Sequence, residues 1–459
     1  MTNLNESKTI AAVSTPLGTG GVSIIRISGE NAAEIADKCF VALSGNRLSE
    51  SEGYRAHYGK VFADGKPIDD AVCLVFKAPH SYTGENVVEI NCHGGIYITK
   101  KILQTVISCG AEPAAPGEFT KRAFLNGKLD LSEAESVMNL ISAQGEQGIN
   151  AAYNMLEGSL SKKINEICSA LISAAANISA WVDYPDDEIE EISDDNLRET
   201  LNNAEAELKN LLSRFESGMA VTSGVEAAIV GKPNVGKSTL MNLITGYDRS
   251  IVTEIEGTTR DVIEETVNLG GCILRLSDTA GIRNSTDEVE KIGVERSKTK
   301  IERAAVIFAT FDVSKPLSDE DFELIESCKG KKVIPIINKT DLKREADVDF
   351  IENNLGKCVE LSAKSGDGYD MLCDAVTKLL DTENFDTSAA MLANERQRLC
   401  CEKAVDSINE ALNSLNSGLT LDATGVCIDD AISSLLELTG EKAGEAVVNE
   451  IFSRFCVGK

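Results

Sequence analysis

The sequence predicts a multidomain protein of the α/β plus α class, with an N-terminal α+β domain, a helical domain, and a phosphate-loop α/β domain inserted into the helical one. A length of 459 residues suggests two to four domains. A glycine-rich pattern lies between a strand-like and a helix-like stretch. Helical periodicity flanks that region on both sides. The predicted boundaries are 1–120, 121–218, 219–382 and 383–459, and the second and fourth segments form the helical domain.

The first 120 residues show strand and helix patterns in mixed order. Alternating or continuous apolar runs predict strands at 22–27, 71–76 and 87–92. Helices are predicted at 31–40 and 96–108. This mixture predicts an α+β domain.

Helical periodicity begins near residues 132–135, whose sequence Ser-Glu-Ala-Glu suggests a capping box. Long helices are predicted to about Phe215, with a break near 183–186. Ser217-Gly218 is interpreted as a linker into the next domain, and residues 391–455 are again predicted to be helical. In the simplest architecture the two helical stretches pack together.

Residues 231–238 match the phosphate-binding pattern G-x-x-x-x-G-K-[ST] without a gap. They follow the apolar run 226–230 and precede the helix-like stretch 238–243. Glycines let such a loop wrap closely around a polyphosphate with its N–H groups pointing inward. Lys237 can reach the β- and γ-phosphates, and Ser238 can hold Mg²⁺.

Four further motifs follow, each in the place that a Ras-like GTPase domain requires. Asp278-Thr279-Ala280-Gly281 comes after a strand-like run, where the aspartate can hold Mg²⁺ through water and the Gly281 N–H can sense a γ-phosphate. Residues 257–261 lie where a switch loop belongs, with Thr259 as the second Mg²⁺ ligand.

Guanine specificity is indicated by Asn338-Lys339-Thr340-Asp341, which follows the strand-like run 333–337. Its carboxylate can accept hydrogen bonds from N1–H and the exocyclic amine, which adenine cannot offer. Ser362-Ala363-Lys364 completes the base pocket. The predicted GTP-binding residues are Asn234, Val235, Gly236, Lys237, Ser238, Thr239, Thr253, Glu254, Ile255, Glu256, Gly257, Thr258, Thr259, Asp278, Thr279, Ala280, Gly281, Asn338, Lys339, Asp341, Ser362, Ala363 and Lys364.

The residue after the 278–281 motif is Ile282, where Ras-like GTPases place a glutamine that orients the attacking water. Another group must therefore assist hydrolysis. Asn234 could bind a monovalent cation that neutralises charge in the transition state, or it could merely brace the loop. The acidic run 287–290 could supply a water-orienting carboxylate, or it could be a solvated helix start.

The composition argues against several other classes of protein. No run of about 18 apolar residues occurs, and residues 1–6 lack the features of a signal peptide. The thirteen cysteines lack C-x-x-C spacing and there are only three histidines, so reduced thiols and a cytoplasmic location are expected rather than a zinc site. A formal net charge of −28 argues against broad, charge-driven coating of nucleic acid.

Motifs outside the GTPase pattern give the sequence a specific resemblance to the MnmE (TrmE) family of tRNA-modification GTPases, over essentially the whole chain. These motifs are Thr15-Pro16-Leu17-Gly18-Thr19-Gly20-Gly21-Val22, Ile25-Arg26-Ile27-Ser28-Gly29, Ser81-Tyr82-Thr83-Gly84-Glu85, Pro116-Gly117-Glu118-Phe119-Thr120, residues 122–131 and Phe455-Cys456-Val457-Gly458-Lys459. Two departures are Val457, where the family usually has isoleucine, and an unusual sequence at 440–447, which leaves the local helix start open.

The resemblance implies an N-terminal folate-binding and dimerisation domain, and GTPase domains that meet across a homodimer in the presence of K⁺. It places the K⁺ site at Asn234, Thr253, Ile255 and Thr258, and the catalytic, water-orienting carboxylate at Glu290. Arg260 and Asp261 belong to the rearranging switch.

The resemblance also implies a folate site at Arg26, Glu89, Lys128 and Lys459, with the thiol of Cys456 nearby. Arginine and lysine suit the glutamate tail of a folate, and a carboxylate suits the pterin amino edge. The implied cofactors are GTP, Mg²⁺, K⁺ and 5,10-methylene-tetrahydrofolate, with FAD on the partner.

The implied partners are tRNA and a flavin-dependent MnmG-type protein, in a heterotetramer or larger complex. Together they would install an aminomethyl-type group on C5 of the wobble uridine. The GTPase motifs alone fit equally well a GTP-dependent assembly or ribosome-associated switch without one-carbon chemistry. A third possibility is a folate enzyme that acts alone, suggested by the N-terminal domain.

Overall fold

A computed structural model describes residues 8–143, 145–183, 194–247, 265–276, 301–302, 304–383, 385–417 and 420–459. The chain divides into two compact units. One contains Met1–Met138 with Leu436–Lys459, and the other contains Asn139–Leu435. Helices Leu131–Ser142 and Leu421–Thr439 contain the points where the chain passes from one unit to the other.

The first unit is built on a sheet whose described strands are ordered β3-β4-β5-β6-β2-β1-β7. Their bounds are β1 Ile10–Val13, β2 Val22–Ser28, β3 Phe40–Ala42, β4 Arg55–Ala63, β5 Lys66–Phe76, β6 Val87–His93 and β7 Glu112–Pro113. Neighbouring strands pair antiparallel, except that β1 and β7 are parallel. The predicted α+β domain is confirmed in this mixture of sheet and helix.

Alternation along β2 separates the two faces of this sheet. Ile25 and Ile27 are fully buried in a core shared with Ile102 and Val106 of helix Ile96–Ser108. Arg26 lies between the two isoleucines and points to the opposite face, because successive strand residues alternate. The register places Arg26 directly opposite Glu89 of β6.

The other helices of this unit are Ala32–Asp37, Glu118–Leu125 and Glu445–Ser453. The helix predicted at 31–40 is therefore shorter than expected. It ends at Asp37 because Phe40 pairs with Val61 at the start of β3. The last helix begins at Glu445 after Gly444, which answers the question that the unusual sequence at 440–447 left open.

The capping box predicted at 132–135 is wrong, because the helix has a capping box that begins two residues earlier, at Asp130. The Asp130 carboxylate accepts from the Glu133 N–H at 2.8 Å, and Glu133 Oε2 accepts from the Asp130 N–H at 2.9 Å. This reciprocal pair is a capping box that begins at Asp130. Ser132 is instead buried inside helix Leu131–Ser142.

In the second unit, the described strands are ordered β13-β12-β11-β8-β10-β9, and all pairs are parallel except β9 with β10. Their bounds are β8 Val225–Val230, β9 Glu265–Leu269, β10 Cys272–Leu276, β11 Val306–Asp312, β12 Val333–Asn338 and β13 Val359–Glu360. Associated helices are Lys237–Tyr247, Asp319–Cys328, Val348–Leu355 and Tyr369–Leu379. Because β8, β11, β12 and β13 are parallel, the segments that follow them meet at one edge.

The helical part of this unit includes most of Leu421–Thr439 together with helices Glu146–Leu156, Ser159–Asp183, Asp194–Ser213, Phe215–Thr222 and Glu395–Asn416. The two helical stretches pack together as expected, since the Cys401 thiol contacts the Leu208 carbonyl and Arg198 bonds Asn416. The predicted linker Ser217-Gly218 is wrong, because both residues are buried within helix Phe215–Thr222. Among the described helices, none combines the length and apolar character needed to cross a bilayer.

Candidate functional site

The phosphate loop leaves β8 at Gly231 and enters helix Lys237–Tyr247. Gly236 has a φ of +100°, and a Cβ there would lie 2.2 Å from Asn338 Nδ2. Only glycine therefore fits this position. The Asn338 amide donates to the Val235 carbonyl at 2.8 Å, so the base-reading motif braces the loop from β12.

Lys237 is half-buried, and its amino group donates to the carbonyls of Gly231 and Lys232, both at 2.8 Å. These contacts fold the lysine back over its own loop, above the backbone that would surround a polyphosphate. Ser238 is exposed at the first turn of the helix, where a hydroxyl can hold Mg²⁺. The loop and its helix N-terminus fit a nucleotide triphosphate with its metal.

The base-reading residues meet at the same edge of the sheet. Asn338 is buried, and its Oδ1 accepts from the Ala363 N–H at 3.0 Å. The Ser362 hydroxyl donates to Asp341 Oδ1 at 2.9 Å, which orients an otherwise exposed carboxylate. Lys364 is exposed beside them. The structure thus brings together the motifs at 338–341 and 362–364, which were predicted to form one base pocket.

Lys339 links this pocket to the phosphate loop. Its amino group donates to the Asn234 carbonyl at 2.7 Å and to Asp312 Oδ2 at 2.6 Å. Burial would raise the pKa of Asp312, but hydrogen bonds from Lys339 and Ser314 outweigh it and lower that pKa below the usual value. Asp312 therefore stays ionised and holds Lys339 in place.

Several predicted residues lie outside the described residues. They are Thr253, Glu254, Ile255, Glu256, Gly257, Thr258, Thr259, Arg260, Asp261, Asp278, Thr279, Ala280, Gly281, Ile282 and Glu290. Of the predicted K⁺ ligands, Asn234 is described: it is exposed and has a φ of +62°. The switch, K⁺-site and Glu290 assignments remain predictions.

A separate polar cluster lies in the first unit, on the face of the sheet opposite its core. Arg26 Nε donates to Glu89 Oε1 at 2.8 Å, and both side chains are about 15% exposed. The Arg26 guanidinium also lies 5.4 Å from the Tyr82 ring centroid and 5.7 Å from that of Phe119. Stacking and ion pairing together fix this arginine in one orientation.

The chain end completes this cluster. The Gly458 carbonyl accepts from the Ser14 hydroxyl at 3.1 Å and from Arg26 Nη1 at 3.4 Å. Gly458 has a φ of +96°, and a Cβ there would lie 2.2 Å from the Val13 carbonyl oxygen. Burial lowers the pKa of Lys459, and the nearby Arg26 lowers it further, while Glu89 and Cys456 oppose this. Arg26, Glu89, Gly458 and Lys459 are called the N-terminal polar cluster below.

The predicted folate-site residues make the following contacts. Arg26 and Glu89 are in direct contact, and their separate roles toward a folate remain predictions. The Lys128 amino group donates to the Pro79 carbonyl at 3.4 Å. Cys456 is half-buried, and its carbonyl accepts from Gly117 N–H at 3.3 Å.

Sequence reasoning missed several residues that shape these sites. Tyr82 and Phe119 stack on Arg26, and both stand in motifs that carry the family resemblance. Asp312 and Asp321 hold lysines at the phosphate loop, yet neither belongs to a nucleotide-binding pattern. A carboxylate at the end of an otherwise apolar strand was the available signal for Asp312.

Comparison with known proteins decides the family. Residues 131–456 match the profile described as MnmE helical domain, and residues 9–128 match GTP-binding protein TrmE N-terminus. The chain belongs to the MnmE family. It is thus a member of a family of tRNA modification GTPases, as three curated relatives show by their names.

Each of these relatives is called tRNA modification GTPase MnmE. The protein of Acetivibrio thermocellus is 42% identical over 98% of this chain and 99% of its own length. That of Clostridioides difficile is 41% identical and that of Carboxydothermus hydrogenoformans 40%, with the same coverages. The solved structure of Aquifex aeolicus Era Y63A bound to GDP·AlF₄⁻ is 29% identical over 40% of this chain and 66% of that chain. Its TM-score of 0.26 supports no functional conclusion.

Proposed function

We propose that this MnmE-family chain hydrolyses GTP and, with a flavin-dependent MnmG-type partner, installs an aminomethyl-type group on C5 of the tRNA wobble uridine. The one-carbon unit would come from 5,10-methylene-tetrahydrofolate. The N-terminal polar cluster carries this proposal, because a GTPase that acts only as an assembly switch has no need of it. The proposed setting is a homodimer in the cytoplasm, where tRNA and GTP are found.

In the GTPase domain, each residue has a distinct task. Lys237 would turn from the loop carbonyls to the β- and γ-phosphates, and Asp341, oriented by Ser362, would accept from the guanine edge. Ser238 and Thr259 would hold Mg²⁺, and Asn234 with Thr253, Ile255 and Thr258 would hold K⁺. These cations would offset negative charge that develops on the phosphates. Glu290 would orient the attacking water.

In the N-terminal polar cluster, we assign Arg26 and Glu89 to the same end of the folate. Glu89 can accept from the amino group and ring N–H of the pterin, while Arg26 holds the carboxylate in position and can donate to the neighbouring ring oxygen. Burial lowers the pKa of Lys459, so an anionic ligand nearby would stabilise the protonated form of its amino group. The support for this arrangement is the direct contact between the two side chains.

The test of the proposed function is nucleoside analysis of tRNA from cells with and without this protein. Deletion is expected to remove the C5-modified wobble uridine, because the reaction would lose the GTP hydrolysis that this chain is proposed to supply. A complemented strain serves as the control. Normal wobble uridine in the deletion strain would contradict the proposal and favour an assembly switch.

Replacing Arg26 with methionine is expected to weaken binding of a reduced folate by about tenfold or more. Glu89 would lose its charge partner, and the rings of Tyr82 and Phe119 would lose the cation stacked on them. Binding can be measured by calorimetry with 5-formyl-tetrahydrofolate as a stable probe. Arg55→Met is the matched control, because Arg55 pairs with Glu52 at an exposed position of the same unit. Equal affinities for wild type and Arg26→Met would remove Arg26 from the site.

A further inference from the structure

The second residue of the phosphate loop, Lys232, forms an ion pair that the motif does not require. Its amino group lies 2.5 Å from Asp321 Oδ2 and 3.2 Å from the Ser318 hydroxyl. The Asp321 side chain is only 1% exposed and that of Lys232 is 16% exposed. Position two of the pattern accepts any residue type, so the pattern does not explain this pair.

The Asp321 carboxylate is held in place by further hydrogen bonds. Its Oδ2 also accepts from the Ser318 N–H at 2.9 Å and the Ser318 hydroxyl at 2.8 Å, in the capping box that begins helix Asp319–Cys328. Its Oδ1 is buried and has no hydrogen-bond partner within the described part of the chain. Without Lys232, this buried carboxylate would lack its ionic partner.

The Lys232–Asp321 pair has a counterpart on the other side of the loop. Asp312 holds Lys339, which donates to the Asn234 carbonyl. The segment 312–321, which runs from the last residue of β11 into the first turn of helix Asp319–Cys328, thus bears a carboxylate at each end. Each carboxylate binds one lysine that belongs to or contacts the phosphate loop, and the two contacts hold the loop at Lys232 and Asn234.

The backbone held by Lys232 is the same backbone that orients Lys237. The Lys237 amino group donates to the carbonyls of Gly231 and Lys232 at 2.8 Å. A shift of Lys232 would therefore displace both the start of the phosphate-binding loop and the contacts of its lysine. A misplacement of this kind costs nucleotide affinity even when the protein stays folded.

We propose that Lys232 and Asp321 are positioning residues for the nucleotide, and that their ion pair holds the first turn of the phosphate loop in its binding geometry. This inference rests on the proposed GTP binding. The pair acts through the loop backbone and touches no reacting atom. Its loss would appear in nucleotide affinity more than in the rate of the chemical step.

The experiment measures GDP affinity by calorimetry in the full-length chain. Lys232→Met is expected to weaken GDP binding by about tenfold, the range of coupling between contacting residues. Lys232→Arg should restore most of the affinity, because a guanidinium can reach the same carboxylate. Lys329→Met is the matched control: it removes an exposed lysine at the end of the same helix and should leave affinity unchanged.

A double variant, Lys232→Met with Asp321→Asn, separates positioning from stability, because the asparagine oxygen can still accept from Ser318 in the capping box. Removing both charges should restore the thermal stability of the nucleotide-free protein, since no unpaired buried charge remains. If affinity stays low in the double variant, the pair positions the loop. If affinity returns together with stability, or if Lys232→Met binds GDP as wild type does, the inference is overturned. If wild type itself fails to bind GDP, the proposed function falls and this inference with it.

Discussion

Replacing Asp341 with asparagine is expected to weaken GTP binding by about 100-fold or more, because a buried base edge would lose two charge-assisted hydrogen bonds. The Ser362 hydroxyl holds the Asp341 carboxylate at 2.9 Å, so the substitution keeps the side chain in place and changes its chemistry. An amide offers one acceptor and one donor where the carboxylate offers two acceptors.

Xanthosine triphosphate supplies the complementary measurement. Xanthine carries a carbonyl where guanine carries its exocyclic amine, so the asparagine amide can donate to it. We expect the Asp341→Asn variant to prefer xanthosine triphosphate to GTP in competition binding. Asp347→Asn is the matched control, because Asp347 caps the neighbouring helix Val348–Leu355 and asparagine caps equally well. An unchanged preference for GTP would show that Asp341 does not read the base.

Replacing Glu290 with alanine is expected to lower GTP turnover by about 100-fold or more, which is the usual effect of removing one catalytic polar group. GTP affinity should stay near that of wild type. Ile282 cannot orient water, so the task must pass to another side chain. Single-turnover hydrolysis and equilibrium binding would be measured on the same protein preparations.

Glu288→Ala is the matched control, since Glu288 belongs to the same acidic run. Both variants and wild type would be assayed in K⁺ and in Na⁺, and wild type should turn over much more slowly in Na⁺. Weaker GTP binding with normal turnover in Glu290→Ala would contradict its role. Equal wild-type rates in the two salts would argue against the K⁺ site at Asn234.

Patterns confined to one stretch of chain predicted the structure well. The strand–loop–helix around 231–238 appears as β8, the loop and helix Lys237–Tyr247. Gly236 and Asn234 have positive φ values, as a loop wrapped around phosphate requires. The errors were local: the helix predicted at 31–40 was too long, and Ser217-Gly218 is helical. In both places tertiary packing overrode a weak local signal.

Long-range contacts could not be predicted in the same way. Arg26 and Glu89 are separated by 63 residues, and the folate resemblance gave them roles at different ends of a ligand. The antiparallel register of β2 and β6 places them directly opposite each other. Sequence spacing carries no information about such a register when the strands are not joined by a short turn.

The sequence by itself determined the chemistry of the phosphate loop, the guanine-reading motif and the absence of a glutamine after Gly281. Each depends on residue types within a few positions of one another, so local backbone geometry is enough to relate them. Only the tertiary structure decided that Asp312 and Asp321 hold lysines at the loop, and that Arg26 contacts Glu89 and Gly458. Strand order and helix packing bring these partners together, because they place residues that are distant in the sequence at the same edge or on the same face of a sheet.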